Sequence, residues 1–452
     1  MQTHDFRDKK VLIIGLARSG ISAARALCAL GARVTVSDRK GADQLAHALE
    51  QLADLPVAYQ LGGQPDCAGF DLMIISPGVP IGAPFVRRAQ GQGVEVIGEV
   101  ELAYRLCPAP VCAITGTNGK TTTTALVGEI FKNADRVTHV VGNIGVPFIS
   151  QVDQVAPGDV VVAEISSFQL ESAVTFRPKV AAILNLTPDH LNRHGDMQGY
   201  AAAKMRIFER QGPEGTLVVN DDDPIVRRMA LKAPGRVLRF SRTHAVDDGA
   251  YVQEGVVVFA WRGERTAVLK VDQIAIPGPH NLENALAATA MTMIMGVDAG
   301  IVADTLKNFQ GIEHRMEFVR EKDGVRYIND SKGTNPDSTI KAVQTMTAPT
   351  VLILGGSEKD SPFDTLAEEI ARAPICQVVL VGQTAERIGR ALEAAGYTHL
   401  NRAESFEAAV HTARDLAPKG GCVLLSPACA SFDMFSDYEM RGRVFKQLVM
   451  QL

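Results

Sequence analysis

Residues 114–124, ITGTNGKTTTT, join an apolar segment to a helical pattern through a turn that holds Gly116 and Gly119. Backbone N–H groups in such a turn can surround phosphate oxygens, the Lys120 ammonium supplies positive charge, and the Thr121 hydroxyl can bind Mg²⁺. The usual phosphate-binding loop has one further glycine, for which this stretch has an isoleucine. The stretch therefore predicts a buried strand, a shortened phosphate loop and a helix within an ATP-binding domain.

Residues 11–38 repeat the strand–turn–helix pattern. An apolar strand meets Gly15-x-Ala17-x-x-Gly20, a helix follows, and a second strand ends at Asp38. Such a βαβ unit binds nucleotide phosphates at the helix N-terminus and a ribose at the acidic residue. Because Ala17 replaces the middle glycine, NAD is disfavoured. The alternative is a Rossmann-like domain whose turn only packs against its sheet.

Further apolar segments indicate how the domains extend. Residues 71–80, DLMIISPGVP, predict a parallel strand followed by a turn at Gly78. Four segments near the C-terminus, VRYINDSK, TVLILGG, CQVVLVG and GCVLLSP, alternate with helical stretches, which predicts a mostly parallel sheet covered on both faces. The predicted fold class is α/β with three domains: a Rossmann-like N-terminal domain (1–100), a central P-loop ATPase-like domain with a mostly parallel sheet (101–314) and a Rossmann-like C-terminal domain (315–452).

Composition excludes several classes of protein. The 452 residues are 46% apolar and 21% charged, as in an ordinary globular enzyme, and the net charge of −5 comes with no basic stripe for nucleic acid. No apolar run reaches the roughly 18 residues of a membrane span, so a cytoplasmic protein is expected. The seven cysteines form no C-x-x-C pair, which favours reduced, mostly buried thiols and argues against a zinc knuckle.

Polar residues follow several of the predicted central strands. Glu164 comes directly after four apolar residues, where a buried strand would offer its carboxylate to a metal. A carboxylate, a threonine hydroxyl and phosphate oxygens are ligands that Mg²⁺ prefers. The other residues of this set are Asn143, Asp189, His190, Arg193, His194 and Lys204.

The spacing of His190 and His194, i and i+4, raises the alternative of a zinc site. The glutamate of an H-E-x-x-H motif is absent, and no cysteine motif accompanies the pair. His194 is therefore expected at the surface or at the edge of the core. Lys204 has a similar alternative, an exposed lysine on a helix.

The order of motifs along the chain resembles the Mur ligases of peptidoglycan synthesis. The motifs are G-T-N-G-K-T, G-N-I-G, E-x-S-S-F-Q-L, D-H-L-N-R-H, A-A-K-x-R-I-F, G-P-H-N-L-E-N, E-H-R-M-E-F-V, D-S-K-G-T-N and S-P-A-C-A-S. The resemblance implies an ATP-dependent amide ligase that works through an acyl phosphate. The complete N-terminal domain, the D-S-K-G-T-N segment and S-P-A-C-A-S followed by F-D indicate the member that joins D-glutamate to UDP-N-acetylmuramoyl-L-alanine.

The resemblance also implies roles for individual residues. The catalytic residues would be Lys120, Asn143, His190 and Lys204. ATP would be bound by Gly116, Thr117, Asn118, Gly119, Lys120, Thr121, Thr122, Asn281, Asn284, Arg315 and Asp330. The UDP-sugar would be bound by Arg18, Ser19, Asp38, Arg39, Gly78 and Asn143. D-glutamate would be bound by Lys332, Thr334, Lys359, Ser431 and Tyr438. Two Mg²⁺ ions would be held by Thr121, Glu164, His190 and Lys204, the last as a carbamate formed with carbon dioxide.

Two positions depart from the family pattern, and alternative roles and functions are still possible for this chain. Arg39 stands where the family often has threonine, and Tyr438 stands where related enzymes have phenylalanine. The buried asparagines near the start of a helix, Asn281 and Asn284, would equally suit helix caps. The alternatives are a ligase of the same mechanism for L-alanine, a diamino acid or folate, a dinucleotide-dependent oxidoreductase, and a non-catalytic ATP-driven switch. A monomer is expected.

Overall fold

The computed structural model describes residues 5–143, 146–357 and 361–452. They form two compact units, Met1–Ile274 with Leu282–Asn308, and Ala275–Asn281 with Phe309–Leu452. The first unit contains two β-sheets and the second contains one. Most strand pairs are parallel, so the predicted α/β class with three sheet-based domains is confirmed.

The N-terminal sheet has five parallel strands in the order β3-β2-β1-β4-β5. Its central strand, KVLII, is buried at four of five positions, as a strand covered on both faces requires. A Cβ at Gly20 would clash with the Gly15 carbonyl, so the first helix packs closely on the turn. The strands are β1 (Lys10–Ile14), β2 (Arg33–Asp38), β3 (Ala58–Leu61), β4 (Leu72–Ile75) and β5 (Glu95–Gly98), and the helices are α1 (Arg18–Ala29), α2 (Ala46–Glu50), α3 (Pro84–Gly91) and α4 (Glu99–Leu106).

The central sheet has nine strands in the order β14-β13-β12-β11-β10-β9-β6-β8-β7. Pairs β12–β13 and β13–β14 are antiparallel, and the rest are parallel. The strands are β6 (Val111–Thr115), β7 (Thr138–Gly142), β8 (Val160–Glu164), β9 (Val180–Ile183), β10 (Thr216–Asn220), β11 (Arg236–Ser241), β12 (Gly249–Gln253), β13 (Val256–Trp261) and β14 (Glu264–Lys270). The helices are α5 (Lys120–Asn133), α6 (Ser167–Leu170), α7 (Leu191–His194), α8 (Met197–Glu209), α9 (Pro224–Ala230), α10 (Pro279–Met293) and α11 (Ala299–Asn308).

The C-terminal sheet has six strands in the order β15-β16-β20-β17-β18-β19, and only β15–β16 is antiparallel. Its middle strands are wholly buried. The strands are β15 (Glu317–Lys322), β16 (Val325–Asn329), β17 (Thr350–Leu354), β18 (Ile375–Leu380), β19 (Leu400–Arg402) and β20 (Cys422–Leu425), and the helices are α12 (Pro336–Gln344), α13 (Asp364–Arg372), α14 (Ala385–Ala394), α15 (Phe406–Leu416) and α16 (Tyr438–Gln451).

All seven cysteines are free thiols, four of them buried. Within the described ranges, no helix has the length and apolar character needed to cross a bilayer.

Candidate active site

The phosphate loop lies between β6 and α5, where the sequence predicted it. Gly119 has φ +81°, and a Cβ there would clash with Oδ1 of Asn284, so only glycine suits this position. The Lys120 Nζ donates to the carbonyls of Gly116 at 3.0 Å and Thr117 at 2.8 Å. The ammonium therefore lies over the loop that would surround a phosphate.

The segment after β9 supports this loop. Asn185 accepts from the Asn118 amide through Oδ1 at 2.8 Å, and its Nδ2 donates to the Asn118 carbonyl at 3.1 Å. The Thr117 Oγ1 donates to the Thr187 carbonyl at 3.1 Å. Sequence reasoning missed Asn185 and Thr187, although both lie just before the D-H-L-N-R-H motif.

Glu164 ends β8 beside the loop, because β8 pairs with β6 and places Glu164 opposite Ile114. Its side chain is buried. Asn143 contacts Glu164 twice: its backbone N–H donates to the Glu164 carbonyl at 2.8 Å, and its Nδ2 donates to Oε1 at 3.3 Å. The structure thus brings the predicted carboxylate and amide together at the carboxyl edge of the sheet.

Lys204 is 1% exposed, so the alternative of an exposed helix lysine is wrong. Its Nζ donates to the Gly116 carbonyl at 2.8 Å and to Thr115 Oγ1 at 3.4 Å. Burial, reinforced by the nearby charge of Lys120, holds the pKa of Lys204 well below its ordinary value, against the opposing attraction of acidic neighbours. A buried amine with a lowered pKa is neutral in a larger fraction of molecules than an ordinary lysine.

His190 and His194 face different surroundings. His190 precedes α7 with φ +54°, its ring centroid lies 4.7 Å from that of Phe168, and its Nε2 lies 3.5 Å from Asp189 Oδ2. The ring nitrogens of His194 lie 3.0 Å from Ser167 Oγ and 3.4 Å from a Glu171 oxygen. In the part of the chain that the structure describes, no three His, Cys, Asp or Glu side chains form a metal-holding group. The zinc reading therefore has no support in the structure.

Three of the residues predicted to bind the UDP-sugar line one cavity of about 410 Å³ in the N-terminal sheet domain: Asp38, Arg39 and Gly78. Asp38 accepts hydrogen bonds from the backbone N–H groups of Leu16 at 2.8 Å and Lys40 at 3.0 Å. Arg18 and Ser19 begin α1 and are not among the lining residues.

The two asparagines assigned to the adenine end are both buried. Asn281 Nδ2 donates to the Pro277 carbonyl at 2.7 Å, and Asn284 Oδ1 accepts from Thr123 Oγ1 at 3.2 Å. Asn284 therefore also joins α10 to the helix that follows the phosphate loop.

In the second unit, Asp330 follows β16 and is fully buried. An Arg315 nitrogen lies 3.7 Å from its Oδ1, and Ser426 Oγ donates to its Oδ2 at 2.7 Å. Burial raises the pKa of Asp330, and the charge of Arg315 opposes that shift. Arg315 and Asp330, which were each assigned to ATP, thus lie beside each other.

Among the residues assigned to D-glutamate, Ser431 differs from the others in the state of its hydroxyl. The Ser431 hydroxyl is buried and has no hydrogen-bond partner among the described residues. The Lys332 Nζ lies 5.7 Å from the centre of the Tyr438 ring, and the Thr334 N–H donates to the Lys332 carbonyl at 2.8 Å. Lys359 lies outside the described residues.

Arg441 is a buried residue of this region that sequence reasoning missed. Its guanidinium donates to the carbonyls of Ser331 at 2.8 Å, Cys429 at 3.1 Å and Ala430 at 3.3 Å. Burial lowers the pKa of Arg441 to about 10. The guanidinium therefore fixes the backbone just before Ser431 and ties it to Ser331.

Three family models match the chain in succession. They are the N-terminal domain of MurD-like Mur ligases over residues 9–98, the Mur ligase middle domain over 114–292 and the Mur ligase glutamate ligase domain over 314–429. The chain belongs to the Mur ligase family, as its motifs predicted.

Full-length relatives carry a more specific name. Three curated proteins called UDP-N-acetylmuramoylalanine--D-glutamate ligase, from Pelotomaculum thermopropionicum, Alkaliphilus oremlandii and Clostridioides difficile, are 49%, 47% and 46% identical to this chain. Each alignment covers 99% of this chain and 99% or more of the relative.

Solved structures agree on the fold. The UDP-N-acetylmuramate-alanine ligase MurC of Thermotoga maritima aligns with a TM-score of 0.62 at 19% identity, over 98% of this chain and 99% of that one. The MurF ligase of the same organism, solved in complex with ADP, aligns with a TM-score of 0.60 at 16% identity over the whole of both chains.

Proposed function

We propose that the protein joins D-glutamate to UDP-N-acetylmuramoyl-L-alanine in an ATP-dependent ligation that releases ADP and phosphate. The observation that carries the proposal is the cluster at one sheet edge, where a phosphate loop, a buried carboxylate and a buried lysine meet. The choice of D-glutamate rests on the full-length likeness to ligases of that name.

The reaction has two steps, phosphoryl transfer to the substrate carboxylate and then amide formation. The substrate carboxylate attacks the γ-phosphorus of ATP, the bond to the β-phosphate oxygen breaks, and ADP leaves. The amine of D-glutamate then attacks the acyl carbon, phosphate leaves, and the amine loses a proton. Lys120 offsets the charge on the transferred phosphoryl group, and Asn143 orients the acyl or phosphate oxygens.

Magnesium fits the residues beside the loop. Glu164 and Thr121 offer hard oxygen donors, as Mg²⁺ requires, and bound Mg²⁺ would neutralise charge on the phosphates. No protein cage of three acidic or histidine side chains exists among the described residues, which suits an ion that relies on substrate phosphates. His190 and a Lys204 carbamate would hold a second ion.

Carbamylation of Lys204 is supported by its burial and lowered pKa. The neutral amine attacks carbon dioxide, a nitrogen–carbon bond forms, and a proton leaves, which gives an anion. A cation in the same position would repel Mg²⁺.

The remaining roles follow the three predicted domains. Residues 1–100 bind the UDP-sugar, with Asp38, Arg39 and Gly78 at the cavity and Arg18 and Ser19 at the start of α1. Asn143, in the central domain, contacts the same ligand. Residues 101–314 bind ATP, with the adenine end at Asn281 and Asn284. The assignment of Arg315 and Asp330 to ATP stays a prediction. Residues 315–452 bind D-glutamate through Lys332, Thr334, Lys359, Ser431 and Tyr438, where the unpartnered Ser431 hydroxyl supports a polar ligand. The monomeric state and the cytoplasmic location stay predictions.

Phosphate release from ATP tests the proposal. The protein would receive UDP-N-acetylmuramoyl-L-alanine and, in parallel, D-glutamate, L-glutamate, L-alanine, a diamino acid or nothing. Release that depends on D-glutamate, with a product heavier by one glutamyl residue, is the expected result. Release with a different amino acid would show that the ligase uses that amino acid instead of D-glutamate. No release with any amino acid would favour a non-catalytic ATP-driven switch or a dinucleotide-dependent oxidoreductase.

A further inference from the structure

Arg193 connects two parts of the first unit that the proposed function assigns to different ligands. Its guanidinium nitrogens lie 2.6 to 3.2 Å from the Glu171 carboxylate oxygens. The same group donates to the Val79 carbonyl at 3.1 Å and to the Gly78 carbonyl at 3.5 Å. Gly78 lines the cavity assigned to the UDP-sugar. Arg193 belongs to the polar residues that follow the central strands and is not among those assigned to a ligand or a metal.

The same contacts locate His190. Helix α7 has only four residues, too few to be stable alone, so its position depends on contacts of its side chains. The Arg193 guanidinium lies 5.0 Å from the centre of the Phe168 ring, which itself packs on the His190 ring. The backbone N–H of Arg193 donates to the His190 carbonyl at 3.0 Å.

We propose that Arg193 is a positioning residue that couples the UDP-sugar loop at Gly78–Val79 to His190. One planar guanidinium binds two loop carbonyls and Glu171 at once, so a shift of the loop on substrate binding moves α7. Glu171 fixes the other side of the same group and also contacts His194 at 3.4 Å. The inference rests on the proposed function, which assigns the UDP-sugar to the loop and a metal to His190.

If the UDP-sugar loop and His190 are coupled, a ligand at either place changes the binding affinity at the other by the same factor. Mg²⁺ with a non-hydrolysable ATP analogue should tighten binding of UDP-N-acetylmuramoyl-L-alanine to the wild-type protein by about fivefold or more. In Arg193→Lys the tightening should fall towards onefold, because a lysine ammonium cannot hold Glu171 and both carbonyls in one fork. Arg210→Lys, an exposed arginine after α8, is the matched control and should keep the wild-type factor.

Calorimetric titration of the full-length protein measures these factors without turnover. The expected kinetic counterpart is a higher KM for the UDP-sugar substrate in Arg193→Lys with the KM for D-glutamate unchanged. A purely structural role would lower the active fraction and leave both KM values as they were. An unchanged coupling factor in Arg193→Lys, or no coupling in the wild type, overturns the inference.

A second variant covers the case in which Arg193→Lys does not fold. Glu171→Gln keeps the side-chain shape and removes the charge that holds the guanidinium, so the coupling factor should fall there as well, and a wild-type factor overturns the inference. Failure of the proposed function is distinguishable, because the wild type would then neither bind the UDP-sugar substrate nor release phosphate with D-glutamate.

Discussion

Replacing Lys204 by methionine should inactivate the protein and stabilise its fold. Methionine keeps most of the side-chain stem and removes the amine, so no carbamate can form. Activity should fall by about 10- to 100-fold or more, because disturbing even the outer shell of a metal site typically costs that much. Stability should move in the opposite direction, because the buried amine opposes folding.

The size of the stability change follows from the surroundings of Lys204. Each unit by which its folded pKa lies below 10.5 costs about 1.4 kcal/mol of folding free energy at lower pH. The hydrogen bonds to the Gly116 carbonyl and Thr115 Oγ1 return about 1 kcal/mol each. Because burial holds the pKa well below 10.5, the cost of burying the amine exceeds what these bonds return, and the free energy of unfolding should rise in Lys204→Met.

The pH dependence has a definite sign. The unfolded chain binds the Lys204 proton more tightly than the folded protein, so wild-type stability should increase with pH through the window that ends at the ordinary pKa of 10.5. Lys204→Met should lack that increment. Urea unfolding in buffer depleted of carbon dioxide, without nucleotide or Mg²⁺, measures both effects.

Two further variants sharpen the test. Lys204→Ala leaves space for a small carboxylate, so acetate should restore part of its activity but none to Lys204→Met. Lys132→Met, on an exposed position of α5, should change neither activity nor stability. Full activity of Lys204→Met would refute the carbamate role, and lower stability of that variant would refute the reasoning about burial.

Three other changes have expected outcomes. Gly119→Ala should weaken ATP binding about tenfold or more and lower the free energy of unfolding by about 1–3 kcal/mol, because φ is +81° and a Cβ would clash. Nucleotide titration and urea unfolding measure the two effects. Gly158→Ala, where a Cβ meets nothing within 4 Å, is the control and should change neither. Ser431→Ala should leave the free energy of unfolding unchanged, because the hydroxyl has no hydrogen-bond partner among the described residues. The same change should raise the KM for D-glutamate about tenfold. An unchanged KM would show that Ser431 does not bind D-glutamate. Burial raises the pKa of Glu99 to about 7, so the free energy of unfolding should fall by up to about 3 kcal/mol as pH rises from 4.5 to 7. Urea unfolding should show no such loss in Glu99→Gln. The control variant Glu209→Gln, at an exposed position, should keep the loss.

The sequence predicted the elements whose chemistry is local. Strand β6, the turn and α5 follow from an apolar run, two glycines and a helical pattern, and all three are present. The burial of Lys204 could not be read in the same way, because the pattern A-A-K-M-R-I-F does not say which helix face is covered. Asn185 was missed because its partners are a backbone carbonyl and a backbone N–H, which carry no residue signature. Arg441 was missed because three of its four partners are backbone carbonyls.

The shortened loop has a structural reason that the sequence pattern alone could not supply. Ile114, at the place of the absent glycine, is a buried strand residue that pairs with Glu164 on one side and Ala182 on the other. The strand thus continues to Thr115, and the turn must be made by the few residues that remain before Lys120. Because Asn185 binds both the N–H and the carbonyl of Asn118, the turn keeps its shape without a longer glycine-rich segment. Strand β8 ends at Glu164 opposite Ile114, one residue before β6 ends at Thr115, so the same register that makes Ile114 a strand residue places the carboxylate level with the start of the loop.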